Sequence, residues 1–176
     1  HPNLSTKSSG CLSSSRNKIA VWKDYFLSII VGRNTPFGAT QNMKITGGCY
    51  CGAVRYEVNG EPQASLQCYC RECCYLSGGN SVPLMRFSLE DFQLTSGEMK
   101  QFRRSDLEHP VTRHFCETCG TGVANETPKR PGAIIVKVGT FDDPSIFKPA
   151  MAIFTRDKQD YHHVPEHIPV FDGRPE

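Results

Sequence analysis

From Lys44 onward, apolar and polar residues alternate with a period of two, the spacing of side chains on a pleated strand. In Ala53-Val54-Arg55-Tyr56-Glu57-Val58, the apolar Val54, Tyr56 and Val58 interleave with Arg55 and Glu57, which predicts a half-buried strand. Asn59-Gly60 follows as a hairpin turn, and Leu66-Gln67-Cys68 runs back. Ser77-Gly78-Gly79 breaks the chain; Val82 to Phe87 predicts a strand, and Ser88-Leu89-Glu90-Asp91 one helical turn with Ser88 as N-cap. Phe92 to Leu94, Met99 to Arg103 and Val111 to Phe115 predict further short strands. Ile134, Val136 and Val138 alternate with Ile135 and Lys137 in another, ended by Asp142-Asp143-Pro144. Ala150 to Thr155 is the last strand, and the Pro-rich tail after Tyr161 is expected to be irregular. With no long helical period and no repeat, the predicted class is all-β.

Residues 1–42 follow another pattern. They hold seven serines, five Lys or Arg and one acid, Asp24, and their longest apolar run is Tyr25 to Gly32. Such a start resembles a transit peptide, and the run a weak signal-peptide core. The opening His1 and the placement of Met43 just ahead of the patterned region equally fit upstream or added sequence. The expected organisation is an N-terminal extension over residues 1–43, with at most a short helix near residues 18–31, and a β domain over residues 44–176.

Composition narrows the partners. A formal charge of +2, from 20 basic and 18 acidic side chains spread along the chain, leaves no electrostatic footprint for nucleic acid or an anionic membrane. No window approaches the roughly 20 apolar residues of a membrane span. Neither a nucleic-acid nor a membrane partner is expected.

Chemistry concentrates in the cysteines. Of nine, eight fall into three clusters: Cys49-Tyr50-Cys51, Cys68-Tyr69-Cys70-Arg71-Glu72-Cys73-Cys74 and Cys116-Glu117-Thr118-Cys119. Two cysteines at i and i+2 on an extended segment have Cα atoms roughly 6.6 Å apart, the upper edge of disulfide tolerance. Two thiolates on one zinc need their sulfurs only about 3.7 Å apart, so metal is the better reading. Metal-binding thiols imply a reducing compartment, hence a cytoplasmic location. Cys49, Cys51, Cys116 and Cys119, each pair followed by glycine, form a closed Cys₄ structural zinc. Cys68, Cys70 and Cys73 supply three thiolates and leave one tetrahedral corner, the mark of a catalytic zinc. Cys74, adjacent to Cys73, is read as a packed thiol. The alternative is a second structural zinc completed by Cys74 or a histidine. Three thiolates weaken zinc toward water but suit a soft thiol as fourth ligand, so the expected chemistry is making or breaking a thiol adduct.

Thr46-Gly47-Gly48-Cys49-Tyr50-Cys51-Gly52, the C-x-C-x-x-C cluster, Arg113-His114-Phe115-Cys116-Glu117-Thr118-Cys119-Gly120-Thr121 and Val138-Gly139-Thr140-Phe141-Asp142-Asp143-Pro144 come in this order. Together they resemble the glutathione-dependent formaldehyde-activating enzyme family, which also includes centromere protein V. The resemblance spans about Lys44 to Phe171. It implies an Mss4-like (β-tent) fold of small antiparallel sheets around a structural zinc. It also implies two zinc ions per chain, on Cys49, Cys51, Cys116 and Cys119 and on the catalytic Cys68, Cys70 and Cys73. The implied activity is that of a carbon–sulfur lyase acting on a glutathione-like thiol and a small electrophile such as formaldehyde. The alternative is a non-catalytic zinc-stabilised binding module of the centromere protein V kind. Many relatives carry histidine where this chain has Tyr69, and again in the late strand where it has Ala152.

Other residues take plainer expectations. His114 is read as a surface histidine, with a bond to a metal-held sulfur as alternative; His162, His163 and His167 as a solvated tail loop; Arg71 and Arg86 as solvated charges, with a substrate carboxylate as alternative. Ser77-Gly78-Gly79 is read as an ordinary turn or a close approach to ligand, and Cys11 as idle.

Overall fold

A computed structural model of the chain describes residues 43–175. The expectations placed on residues 1–42, including the extension, its helix and Cys11, lie outside the described residues. The fold is nearly all β, as the alternation predicts. Its strands are β1 (Lys44–Gly48), β2 (Arg55–Asn59), β3 (Ala64–Cys68), β4 (Val82–Ser88), β5 (Phe92–Ser96), β6 (Lys100–Phe102), β7 (Thr112–Phe115), β8 (Gly122–Glu126), β9 (Ala133–Lys137) and β10 (Met151–Ile153). Among the described residues one α-helix, α1 (Arg71–Ser77), interrupts them.

The strands form a small sheet, β1-β2-β5, and a large one, β10-β3-β4-β9-β8-β7-β6, antiparallel throughout except for the parallel pair β10–β3. The two sheets share one core, where Ile45, Tyr56 and Val58 of the small sheet cluster with Met85, Phe87, Ile134 and Val136 of the large one. Tyr56 anchors it. Its ring stacks on Phe92 at 5.1 Å, and its hydroxyl donates to Thr140 Oγ1 at 2.7 Å, which itself donates to the Lys137 carbonyl. The opposite face of the large sheet holds a second cluster, with Cys68, Val82, Leu84 and Ile153 around Cys73. Both faces of β4 and β9 are thus covered, and alternation alone does not say which is the core side.

Several local expectations are corrected. Asn59-Gly60 does not join β2 to β3, because β2 pairs with β1 and β5, whereas β3 pairs with β4 and β10. The Gly60 N–H closes instead on the Met43 carbonyl at 3.1 Å, and Pro62, with no N–H to give a ladder, lies where the chain crosses between sheets. The turn at Leu89–Asp91 is a 3₁₀ turn, and Ser88 Oγ bonds Glu90 Oε1 rather than capping a backbone N–H. Val138 leaves β9 and begins another 3₁₀ turn. The tail is irregular but docked: Ala152 donates to the Pro169 carbonyl and accepts from the Phe171 N–H, each at 2.9 Å. No helix among the described residues is long and apolar enough to cross a membrane.

Phe87 is fully buried at the junction of the sheets. Phe87→Ala is expected to cost about 3–5 kcal/mol in chemical denaturation of the metal-loaded protein, and Tyr56→Phe about 1 kcal/mol. A Phe87→Ala cost no larger than that of Tyr56→Phe would contradict this core.

Candidate metal centres

The closed set forms where two loops meet. Cys49 and Cys51 lie in the β1–β2 loop, and Cys116 and Cys119 in the β7–β8 turn. All four sulfurs lie within 4.8 Å of one another. Cys49 and Cys51 Sγ are 3.5 Å apart and Cys51 and Cys116 Sγ 3.8 Å apart, far beyond a covalent S–S bond of about 2 Å. Four sulfurs at about 2.3 Å from a tetrahedral zinc sit about 3.8 Å apart, so the set fits that ion. Gly52 at φ +79° and Gly120 at φ +74° turn the chain just after each pair, in a region that side chains with a Cβ disfavour.

Backbone and hydroxyl donors converge on these sulfurs. The Val54 N–H donates to Cys49 Sγ at 3.2 Å. Thr121 Oγ1 accepts from the Tyr50 N–H at 3.2 Å, which leaves its own proton for Cys119 Sγ at 3.1 Å. That hydroxyl, with the Thr121 backbone, lowers the Cys119 thiol to about 5. Burial pushes Cys49 up, but the Val54 N–H and the neighbouring thiols outweigh it and hold Cys49 low. Cys51 is pulled down by the Ala53 backbone, yet its shared protons with Cys49 and Cys119 raise it to about 12.

The open set is built at a strand–helix junction. Cys68 ends β3, Cys70 is the N-cap of α1 and Cys73 lies in its first turn. Here the cap is a sulfur: Cys70 Sγ accepts the Cys73 N–H at 3.4 Å. The three sulfurs lie within 4.8 Å of one another, with Cys68 and Cys73 buried and Cys70 partly open. Hydrogen bonds from Cys68 and Cys73 draw the Cys70 thiol down to about 2. The same bonds push Cys68 up to about 12, through Cys70 first, and Cys73 further up, through Cys68 and Cys70. The three thiols thus work against one another's ionisation. A divalent cation is what allows all three to ionise together.

Among the described residues no fourth Cys, His, Asp or Glu ligand atom joins this trio. Cys74 is fully buried with its Sγ on the Tyr69 carbonyl at 3.6 Å, a packed thiol facing elsewhere. Tyr69 also turns from the trio: its hydroxyl donates to the His163 carbonyl at 2.6 Å and its ring meets His162 edge-on. Ile153 stands beside Cys68 and clusters with it, so the neighbouring Ala152 faces the opposite side, as Tyr69 does.

The histidine and arginine expectations change. His114 is buried, not on the surface, and its Nε2 bonds Glu126 Oε1 at 2.7 Å rather than a sulfur. His162 is buried too; its Nδ1 accepts the Gln159 N–H at 3.1 Å, so Nε2 donates to the Gly79 carbonyl at 2.8 Å. His163 and His167 are exposed. Arg71 lies over the exposed Tyr75 ring at 4.7 Å. Arg86 is not a fully solvated charge: its Nε is buried without a partner and one terminal nitrogen donates to the Gln63 carbonyl at 3.4 Å. Gly78 at φ +76° caps α1, with its N–H on the Cys74 carbonyl, so this break is a helix terminator.

Two cations escaped the sequence reading. Arg113 of β7 pairs with Glu72 of α1, fastening the helix that carries Cys73 to the large sheet. Lys137, at the end of β9, is held below the usual lysine range by burial, with Arg113 adding to the effect. In sequence Lys137 looked like the polar phase of a half-exposed strand. The signal that both phases were occupied was the unbroken run Ala133 to Val136.

A family model described as glutathione-dependent formaldehyde-activating enzyme matches residues 44–157. A Halomonas elongata protein provisionally named glutathione-dependent formaldehyde-activating enzyme is 30% identical over 94 residues, 51% of this chain and 60% of that protein. The chain thus spans about 60% of that curated relative's length. A crystal structure of a Rhodobacter sphaeroides protein, 21% identical, covers 71% of this chain and 98% of its own, with a TM-score of 0.46. The matched stretch contains both cysteine sets and every described strand, and the chain belongs to the glutathione-dependent formaldehyde-activating enzyme family.

Proposed function

We propose that the chain is a zinc enzyme of the carbon–sulfur lyase type, joining a glutathione-like thiol to a small electrophile such as formaldehyde. In this reading Cys49, Cys51, Cys116 and Cys119 hold a structural zinc, and Cys68, Cys70 and Cys73 hold a catalytic one. The observation that carries it is the contrast between a set of four gathered sulfurs, the number a tetrahedral zinc takes, and a set of three with no fourth ligand atom among the described residues. Cys68, Cys70 and Cys73 would hold the zinc, which would supply a Lewis-acidic position that favours the thiolate form of a bound thiol.

The chain's own groups do the rest. The Cys73 N–H fixes the Cys70 sulfur from the backbone, and the partial exposure of Cys70 leaves an approach on one side. Cys68 and Cys73 are buried, which keeps water from the other side. The reaction itself is redox-neutral. A bond forms between the thiol sulfur and the carbonyl carbon, the carbonyl π bond breaks, and the proton lost from sulfur ends on oxygen as a hydroxyl. Reversal returns thiol and aldehyde. Thiols committed to metal need a reducing compartment, and this reading places the protein in the cytoplasm.

Elemental analysis of native protein is expected to give two zinc per chain, falling to one in Cys70→Ser with the fold kept. Cys119→Ser is expected to lower stability far more, because a structural zinc is worth roughly 10 kcal/mol or more of apparent binding energy. A native ratio of one or less would overturn the two-site reading. Adding millimolar glutathione to cobalt-substituted protein is expected to shift the cobalt d–d bands; unchanged bands would count against the enzyme and for a binding module.

A further inference from the structure

We propose that a cavity between α1 and the β6-β7-β8 strands seats a carboxylate of the thiol substrate, and that Lys137 is the residue that holds it. This rests on the reading of the open set as the thiol site and adds what the thiol must carry.

The cavity has a volume of about 270 Å³, and its walls include Leu76, Phe102, Phe115, Arg113, Gly122 and Lys137. Leu76 stands three residues beyond Cys73 on α1, so the two lie on neighbouring positions of one helix face. Phe115 immediately precedes Cys116. The space is thus bordered by the helix of the open set and the knuckle of the closed one. Its lining is apolar apart from a few polar groups, the make-up of a small-molecule site in which a charged residue fixes orientation.

The two cations in that wall differ. Arg113 is committed to Glu72. Among the described residues, the Lys137 amine has neither a carboxylate nor a hydrogen-bond acceptor. It is partly buried and pairs across the sheet with Leu84, which packs in the cluster that holds Cys68 and Cys73, so it stands beside the open set. A partly desolvated ammonium that makes no salt bridge or hydrogen bond is unfavourable, and an anionic ligand group removes that cost. The backbone is cut to fit the amine. A Cβ added at Gly122 would meet Lys137 Nζ at 2.1 Å, so the absence of a side chain there is what admits it. A thiol with its sulfur at the trio and a carboxylate on Lys137 meets both demands, and a peptide thiol such as glutathione has that chemistry.

The test titrates cobalt-substituted full-length protein with glutathione and with glutathione diethyl ester, which keeps the thiol and masks both carboxylates. The readout is the cobalt spectrum. The free thiol is expected to bind about 10-fold more tightly than the diester, the effect of one charge-assisted hydrogen bond. Lys137→Met is expected to reduce that preference to within about two-fold, and Lys137→Arg to keep most of it. Gly122→Ala, which displaces only the end of a flexible side chain, is expected to lower the preference while the thiol-free cobalt spectrum stays that of the native fold. A preference that survives Lys137→Met and Gly122→Ala overturns the seat. So does an equal loss of both thiols, which would make Lys137 a counter-charge to the sulfurs alone. No preference in the unaltered protein also overturns it and leaves the thiol site standing. A cobalt spectrum that responds to neither thiol removes the thiol site and the seat together.

Discussion

Seven thiols crowded into two sets cannot all carry charge unless a cation joins them, and the rest of the fold is arranged around that constraint. In the open set one proton-poor sulfur, Cys70, is bought at the expense of Cys68 and Cys73, which both hold their protons more tightly. Like-charged groups at this separation repel too strongly to ionise together. The closed set divides in the same way, with Cys49 and Cys119 lowered and Cys51 raised. Its four sulfurs come from a loop of the small sheet and a turn of the large one, so a cation there ties two sheets that otherwise share mainly the core around Tyr56 and Phe87. The Arg55–Asp142 pair also links the β2 region to the segment after β9, but both groups are substantially exposed, and such pairs contribute little.

The two sets differ in how far apart the chain brings its ligands. The closed set spans loops 65 residues apart, so losing it frees a long stretch of chain. Cys68, Cys70 and Cys73 come from one contiguous turn at the start of a helix of seven residues. Such a turn can exchange a ligand without releasing either sheet, because its neighbours are held independently. Arg113 grips α1 at Glu72, Gly78 closes its far end, and Tyr161 and His162 both donate to the Gly79 carbonyl just beyond. In the proposed reading, a structural set beside a locally built open one would give stability and ligand access to different parts of the molecule.

Much of this was legible from residue spacing. Cysteines at C-x-C and C-x-x-C followed by Gly52 or Gly120 carry their geometry in the local chain, and the period of two marks most strands. The misreadings share one physical cause: they concern what a residue meets across the fold. Helix α1 is too short for a helical period, and its cap is Cys70, outside the usual Ser, Thr, Asp and Asn. Strand β8, Gly-Val-Ala-Asn-Glu, has only Val123 as a β-former, and it exists because β7 and β9 flank it. His114 and His162 looked exposed because their neighbours are polar or proline; Glu126 and the Gly79 carbonyl, which receive them, lie 12 and 83 residues away.

Tyr69 and Ala152, the two positions at which the family resemblance leads one to expect a histidine, can be weighed by the same alternation. A side chain's reach to the open sulfurs is decided by the face it occupies, and Leu66, Cys68, Met151 and Ile153 share the face of that cluster. Gln67 and Ala152 pair across the other face, and Tyr69, one step past Cys68, follows them. There the Tyr69 hydroxyl holds the His163 carbonyl and its ring packs against His162, so the side chain fastens the tail to the sheet. Ala152 is completely buried beneath that tail, which bonds both its N–H and its carbonyl. A histidine in either place would meet the tail before it met a sulfur. Tyr69 and Ala152 therefore bear on how the C-terminal segment is anchored, and the chemistry of the three sulfurs is left to the groups on their own face, among them Lys137, which pairs across the sheet with Leu84 of that cluster.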